Sequence, residues 1–161
     1  MKKIFIYCLF ITLSITQVRV SFEANGRFNN DLTSPGITVG YEHYLWDEQN
    51  NVSAGIGAEF MFRHNGFRET PDGMGFNTLY VNFNYAFTKE WNGYSRIGFC
   101  DANDFEDFFD DDRGLNIGLG VFKNFDTYNI GVGYHVTFID EYSYDRVVLS
   151  FIGVIKDDDN D

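Results

Sequence analysis

The sequence predicts an all-β fold, an eight-stranded antiparallel up-and-down transmembrane β-barrel. Three observations lead to it: apolar and polar side chains alternate, the alternation recurs between turn-forming segments, and the charges share one face. The alternation is clearest in residues 76–87, whose apolar face consists of Leu79, Val81, Phe83, Tyr85 and Phe87. A period of two places alternate side chains on opposite faces of a strand, and the length suits the ~9–11 residues of a tilted membrane strand. A half-buried strand of a soluble sandwich would alternate in the same way.

The amino-acid composition favours strands over helices. The 161 residues suffice for one domain. They include 18 Phe, 10 Tyr and 16 Gly but only 2 Pro, which is typical of strands joined by turns. No internal apolar run approaches the ~18 residues of a membrane helix. If the chain crosses a membrane, a closed barrel is the remaining way to satisfy its backbone hydrogen bonds in lipid.

Charge and cysteine usage exclude several functions. The formal net charge is −12, and acids are concentrated in residues 101–112 and in the tail at 157–161. Nucleic-acid binding needs a basic surface, so we expect no nucleic-acid partner. The two cysteines are Cys8 and Cys100, and Cys8 lies in the predicted targeting segment. We therefore expect no internal disulfide, no metal site and no cofactor.

The first 17 residues have the layout of a secretory signal peptide. Lys2 and Lys3 precede an apolar segment at 4–15, and the small residues Ser14 and Thr16 stand before the expected cleavage near Gln17. An uncleaved amphipathic segment is the alternative. We divide the chain into a signal peptide at 1–17, a barrel domain at 18–156 and an acidic C-terminal tail at 157–161.

Four alternating segments occupy the first half of the mature chain. They cover residues 18–28, 37–45, 52–62 and 76–87. Turn-forming residues separate them: a turn is predicted at 29–35, a short turn at 46–51 and a longer loop at 64–75. His43 interrupts the apolar face of the second segment.

The second half predicts four further strands. They cover residues 94–100, 115–121, 128–138 and 144–155, and the last is apolar on both faces, so its orientation is ambiguous. The connections are short at 88–93, long through the acidic loop 101–113, short at 123–126 and of medium length at 139–143. Short turns at one end, longer loops at the other and an even strand count are typical of bacterial outer-membrane barrels.

The polar face decides which side of the strands meets lipid. Its charged, amide and imidazole side chains are Arg19, Glu23, Arg27, Glu42, Glu59, Arg63, Arg96, Arg146, Asn82, Asn84, Asn116, Asn129 and His135. A basic residue facing lipid at the bilayer centre costs roughly 2–4 kcal/mol. The polar face must therefore point into the lumen.

We predict that inward charges form a structural ion-pair network across the lumen, because paired buried charges are tolerable and isolated ones are not. The predicted members are Glu23, Glu42, Glu59, Arg63, Arg96 and His135. Inward-facing glycines such as Gly57 and Gly118 leave room for these side chains. The side chains of a barrel this small fill its interior, so we expect a closed lumen; a narrow conducting pore is the alternative.

Several segments resemble strands of the small eight-stranded outer-membrane β-barrel family, which includes the OmpA transmembrane domain and the OmpX and Ail group. They are GITVGYEHYL, SAGIGAEFMF, LYVNFNYAF and YNIGVGYHVTF. The resemblance covers nearly the whole chain after the signal, although family members usually end on an aromatic residue and this last strand ends at Ile155 and Lys156. It implies a monomer of the bacterial outer membrane without catalytic residues and with a structural or surface-adhesion role. Its partners would be outer-membrane lipids, lipopolysaccharide and an extracellular surface partner of the loops.

Two alternatives remain open. His135 and Thr137 lie two residues apart, and the chain is similar in size to lipid A deacylases of the PagL type, which carry a His-x-Ser on a barrel strand. Here Thr replaces Ser and both residues fall on the inward face, so a hydrogen-bonding role is expected for His135. A soluble secreted binding barrel is the other alternative.

The acidic loop 101–113 is predicted to be an exposed surface loop. It contains many carboxylates and three interleaved phenylalanines, but it lacks the ligand spacing of a calcium-binding hand. A weak contact with divalent cations at the membrane surface is the functional alternative.

Overall fold

A computed structural model describes residues 15–27, 30–44, 51–62, 75–103, 113–139 and 142–156. For residues 15–27, 30–35, 103, 142 and 154–156 the description covers the backbone only. The strands within these ranges are β1 (Ile15–Arg27), β2 (Asn30–Tyr44), β3 (Val52–Met61), β4 (Gly75–Ala86), β5 (Trp91–Asn103), β6 (Arg113–Asn124), β7 (Tyr128–Ile139) and β8 (Tyr142–Lys156).

Each strand pairs antiparallel with the next one along the chain, and β8 pairs with β1 to close the barrel. The predicted all-β class and up-and-down topology are confirmed. No helix in the described part of the chain is both long and apolar enough to cross a membrane.

The stagger of the strands follows from their pairing register. A path through hydrogen-bonded partners leaves β1 at Thr16, passes once around the barrel and returns to β1 at Gly26, a shift of 26 − 16 = 10 residues. The intermediate partners are His43, Ile56, Val81, Ile97, Ile117, Val136 and Asp145. With eight strands, this stagger corresponds to a tilt of about 40° from the barrel axis.

The two faces of the wall have opposite chemistry, as the alternation predicts. On β4, Asn82 is 1% exposed in the lumen, whereas Phe83 is 47% exposed on the outside. β8, whose orientation the sequence left ambiguous, buries Val148 and Ile152 inside and exposes Val147 and Leu149 outside. A soluble protein rarely exposes so large an apolar surface to water. The outer wall is therefore suited to contact with lipid.

The outer apolar band has the height of a bilayer core. We call the end with the β2–β3, β4–β5 and β6–β7 connections the turn end, and the opposite end the loop end. From Asn77, near the loop end, to Phe87, at the turn end, ten residues span about 33 Å of strand, or about 25 Å along the axis at this tilt, which matches the outward band of outer-membrane barrels. Aromatic rings collect at the turn end, where Tyr128 stacks on Phe125 at 4.7 Å and on Phe151 at 5.3 Å between ring centroids.

The predicted connections are partly wrong. β1 ends at Arg27 and β2 begins at Asn30, so the predicted turn at 29–35 is mostly strand. The connection between β7 and β8 is also only two residues long, residues 140–141, whereas the β2–β3 connection at the turn end spans residues 45–51. Short connections therefore do not all lie at one end.

Pro35 explains why a turn was wrongly predicted at 29–35. Proline is a turn signal because it cannot donate a backbone hydrogen bond, but it is tolerated where a strand is paired on one side. Pro35 pairs with Ala24 of β1, and the described pairing of β2 with β3 begins only at Thr38. The missing donor therefore interrupts no described bond between β2 and β3.

The barrel begins slightly earlier than predicted. β1 starts at Ile15, three residues before the predicted domain start at 18. Residues 1–14, the acidic tail at 157–161 and most of the acidic loop lie outside the described residues. The signal peptide and its cleavage position stay predictions.

Candidate functional site in the barrel lumen

A salt bridge between β3 and β5 lies at the centre of the lumen. Glu59 accepts two hydrogen bonds from the Arg96 guanidinium, at 2.5 Å from Nη1 and 2.6 Å from Nη2. Both side chains are buried. This bidentate geometry is the strongest form of a carboxylate–guanidinium contact, and it spans two strands that do not pair with each other.

A second arginine reaches the same carboxylate from across the barrel. Nη2 of Arg146, on β8, lies 3.2 Å from Oε1 of Glu59. Its Nη1 contacts the Met61 sulfur at 3.7 Å, and its guanidinium lies 5.9 Å from the Phe76 ring centre. Arg146 was recognised in the sequence as an inward charge, but it was not included in the predicted network.

Glu42 is held mainly by neutral donors in the described contacts. The hydroxyls of Tyr44 and Tyr80 donate to it at 2.8 Å and 2.7 Å, and Asn82 Nδ2 donates at 3.1 Å. The Tyr80 ring also lies 4.6 Å from the Arg96 guanidinium. Tyr80 therefore connects the Glu42 cluster to the Glu59 salt bridge, because its hydroxyl donates to Glu42 and its ring lies against Arg96.

Sequence reasoning missed these tyrosines because the predicted network was drawn only from Glu, Arg and His side chains, and hydroxyl groups on the inward face were not considered. The signal was present, since the alternation that places Glu42 inside also places Tyr44 inside, and the same holds for Tyr80 and Asn82 on β4. A long side chain that carries a hydroxyl is well suited to satisfy a buried carboxylate.

His135 contacts Tyr94 on β5. Its Nε2 lies 2.9 Å from the Tyr94 hydroxyl. Thr137 accepts a hydrogen bond from Asn116 Nδ2 at 2.8 Å. Both His135 and Thr137 are buried and point into the lumen, so in this structure the pair does not face the lipid side of the wall.

Two residues of the predicted network are not covered by the description. The backbone of Glu23 pairs with Gly36 and Val148, but its side chain lies outside the described atoms, and so does the whole of Arg63. Of the six predicted members, the structure brings Glu59 and Arg96 into direct contact and places Glu42 and His135 in adjoining hydrogen-bonded clusters.

The loop end of the lumen is apolar. Six buried side chains form one cluster there: Met61, Phe76, Cys100, Ala102, Ile139 and Tyr144. The rings of Phe76 and Tyr144 lie 5.6 Å apart between centroids. We call this group the apolar cap. The described lumen therefore has a polar middle and turn end and an apolar loop end.

Glycines make the lumen wide enough for these side chains. An added Cβ at Gly57 would lie 2.5 Å from the Tyr80 ring, and one at Gly118 would lie 2.5 Å from the His135 ring and 3.0 Å from Arg96. All three distances are shorter than an ordinary van der Waals contact, so a larger residue at either glycine would displace the long polar side chains. These glycines are required for space and not for backbone conformation.

The arrangement of described side chains can neutralise charge. Among the side chains described inside the barrel, Glu42 and Glu59 balance Arg96 and Arg146. No group of three His, Cys, Asp or Glu side chains suited to a metal ion occurs in the described ranges.

Comparison of the whole chain with known proteins identifies the fold. No family model matches the sequence, and no curated protein matches it. Solved structures do match: the outer membrane enzyme PagL has a TM-score of 0.69 at 12% identity, with 86% of this chain and 99% of that chain covered. The N-terminal β-barrel domain of Pseudomonas aeruginosa OprF has a TM-score of 0.62 at 12% identity, with 86% and 97% covered.

A third similar structure is that of Ail, the attachment invasion locus protein of Yersinia pestis, in complex with the heparin analogue sucrose octasulfate. Its TM-score is 0.57 at 14% identity, with 88% of this chain and 98% of that chain covered. At such identities the likeness concerns the fold. By this fold and by the apolar character of its outer wall, the chain resembles the small outer-membrane β-barrels, among them the OmpA transmembrane domain and the OmpX and Ail group.

Proposed function

We propose that this protein is a structural or surface-adhesion barrel of the outer membrane with a closed lumen and no catalytic role. The observation that carries the proposal is the contact of Glu59 with both Arg96 and Arg146, because it connects β3, β5 and β8 across the interior. Buried charges that pair with each other do not need water to solvate them, so the centre of the lumen need not hold a water-filled path.

The apolar cap is a second barrier in series with the salt bridge. An ion that entered from the turn end would meet polar side chains as far as Arg146 and then the rings of Phe76 and Tyr144. An apolar constriction of this kind resists wetting. Two barriers of different chemistry support a closed lumen better than either one alone.

Single-channel recording tests the closed lumen. Purified protein inserted into planar bilayers should show no steady conductance, and Glu59→Gln with the cap intact should remain closed. Adding Phe76→Ser to Glu59→Gln should produce measurable openings, because both barriers are then weakened. Steady conductance in the porin range from the unaltered protein would establish the pore alternative.

The absence of catalysis is supported by the position of His135 and Thr137. Both side chains are buried in the lumen and are engaged by different partners, Tyr94 and Asn116. A base and nucleophile acting on a lipid would have to reach the outer wall and each other. Mass spectra of lipid A from expressing cells should be the same for the unaltered protein and for His135→Ala. Loss of an acyl chain that depends on His135 would favour the enzyme.

A surface role is supported by the fold shared with Ail, whose name describes attachment and invasion. We propose that the sequence segments 63–74 and 104–112 contact an extracellular partner. Cells that display the barrel with residues 104–112 replaced by a Gly-Ser linker of equal length should adhere less to a mammalian cell layer, at unchanged surface expression. Equal adhesion after both segments are replaced would limit the role to membrane structure.

A further inference from the structure

After the predicted signal peptide, lysine is confined to one end of the barrel. The lysines of this part of the sequence are Lys89, Lys123 and Lys156. Lys89 lies in the β4–β5 connection, Lys123 one residue before the end of β6 and Lys156 at the end of β8, so all three are at the turn end. A lysine at the edge of the apolar band can extend its ammonium to the headgroup level of the membrane. Lysine and lipid headgroups therefore meet at the turn end.

Lys123 is held on the outer wall between two aromatic rings. It is the cross-strand partner of Trp91, and its Nζ lies 5.8 Å from the Trp91 ring centre and 5.5 Å from the Phe125 ring centre. Both distances are within the ~6 Å of a cation–π contact. The two rings fix this ammonium at a defined place on the wall, whereas Lys89 is exposed and has no ring contact among the described residues.

The ammonium of Lys123 retains hydrogen-bond donors for a ligand. Oε2 of Glu90 is 3.6 Å from Nζ, which is too far for a hydrogen bond. The Glu90 side chain is 69% exposed, and an ion pair this open contributes little. An ammonium has three N–H donors, and within the described part of the chain Lys123 donates none of them.

An aromatic row continues from Lys123 along the turn end. Phe125 stacks on Tyr128 and Tyr128 stacks on Phe151, with interplanar angles of 17° and 9°. The rings thus cross from the end of β6 over β7 to β8. Aromatic side chains favour the boundary between acyl chains and headgroups. A cation held by rings at the end of such a row distinguishes this place from the apolar wall in general.

The level of Lys123 in the membrane determines the class of its ligand. The backbone carbonyl of Trp91 accepts a hydrogen bond from Phe87 at 2.9 Å, and Phe87 marks the turn-end limit of the apolar band. The ammonium therefore lies where acyl chains give way to headgroups. The proposed surface role turns the loop end outward, so the turn end is in the periplasmic leaflet, which consists of glycerophospholipids. Their anionic group at this level is a phosphate diester.

We propose that Lys123, Trp91 and Phe125 form a binding site for the phosphate of a glycerophospholipid in the periplasmic leaflet. Nζ of Lys123 donates to a phosphate oxygen, and the two rings hold the ammonium in place. The acyl chains lie against the wall of β6 towards the loop end, where Leu119 and Val121 are exposed at 61% and 39%. Only the choice of leaflet rests on the proposed surface role, since the contacts themselves do not depend on the orientation of the barrel.

Competition between lipids at Trp91 tests the site on the full folded chain in vesicles. Trp46→Phe leaves Trp91 as the single tryptophan, and phosphatidylglycerol with brominated acyl chains quenches its fluorescence on contact. The competitor is digalactosyl diacylglycerol, an uncharged lipid without phosphate. Trp91 should be quenched more than the molar share of phosphatidylglycerol predicts. Lys123→Gln should lower the preference for phosphatidylglycerol about fivefold, since one lysine at a membrane surface has roughly that effect.

Lys89→Gln is the matched control, because it removes the same charge from the same end of the barrel without touching the rings. It should leave the preference unchanged, and heat-modifiable gel mobility verifies that each variant is folded. Equal responses to Lys89→Gln and Lys123→Gln, or no preference for phosphatidylglycerol in the unaltered site, would overturn the proposal.

Excess inorganic phosphate in solution separates a lipid from a soluble anion at the same ammonium. It should not change the quenching, and loss of quenching would mean that the site binds a soluble anion and would overturn the lipid assignment. The vesicles carry the same lipids in both leaflets, so the orientation of the barrel does not affect the result. None of these outcomes bears on the closed lumen, which conductance tests, or on adhesion.

Discussion

Glu59 is the residue on which the charge balance of the lumen depends. It contacts two guanidinium groups, and all three side chains are buried. Replacing such a cluster by apolar side chains can be neutral, but removing one member leaves unpaired charge in a medium that solvates it poorly. The position therefore tolerates few changes, although it takes no part in any reaction that we propose.

Glu59→Gln is predicted to destabilise the barrel by about 3–5 kcal/mol, because Arg96 and Arg146 lose their carboxylate. Unfolding in urea, followed by tryptophan fluorescence in lipid vesicles, measures the change. Glu90→Gln is the matched control, since Glu90 contacts Lys123 at 3.6 Å on the exposed surface, and it should cost less than about 1 kcal/mol. Similar losses in both variants would contradict the assignment of a buried network.

At the scale of the strand, the packing of β5 against β6 and β7 depends on side chains that lie over glycines. Tyr94 on β5 extends across the wall, so that a Cβ added at Gly133 on β7 would overlap its hydroxyl. A Cβ added at Gly120 on β6 would lie 2.5 Å from the same ring. The Tyr94 hydroxyl also contacts His135 at 2.9 Å, so the ring cannot move away without losing that hydrogen bond.

Gly133→Ala is therefore predicted to cost about 1–3 kcal/mol, the usual penalty of overpacking. Gly40→Ala is the control, because its Cβ would meet its nearest neighbours at 3.2 Å and would need only a small adjustment. Urea unfolding under identical conditions compares the two. If Gly133→Ala were as stable as Gly40→Ala, Tyr94 could not occupy the position described here.

At the scale of the whole molecule, closure of the barrel depends on β8. This strand pairs with β7 on one side and with β1 on the other, and it supplies Arg146 to the central cluster. Without β8, β1 and β7 would each have an unpaired edge in lipid, which a membrane does not tolerate.

A chain that ends after residue 141 is predicted not to fold in detergent or lipid, whereas a chain that ends after Lys156, without the acidic tail, should fold. The measurement is gel mobility before and after heating, since a closed barrel resists unfolding in detergent and migrates differently when unheated. A heat-modifiable band from the chain without β8 would contradict the closed topology. Failure of the chain without the tail would mean that residues 157–161 take part in folding.

Loop lengths show where the reasoning from sequence failed. Turn-forming residues at 29–35 and 139–143 predicted longer connections, but β2 begins at Asn30 and β8 at Tyr142. Turn propensity reflects only neighbouring residues in the sequence. Where the backbone donors and acceptors can hydrogen-bond to an adjacent strand, that pairing outweighs the local preference for a turn. Pro35 on β2 is the clearest case.

The sequence by itself determined the class of fold and the inward or outward direction of most side chains. The reason is that alternation is a property of each single strand and can be seen without knowing which strands pair with it. It placed Glu42, Glu59, Arg96 and His135 inside. Only the tertiary structure decided which of them meet, since Glu59 and Arg96 are on strands that do not pair and Arg146 lies across the barrel. These contacts depend on the ten-residue stagger and on closure, which no single strand encodes. The same closure resolved the orientation of β8, whose two faces are both largely apolar in sequence.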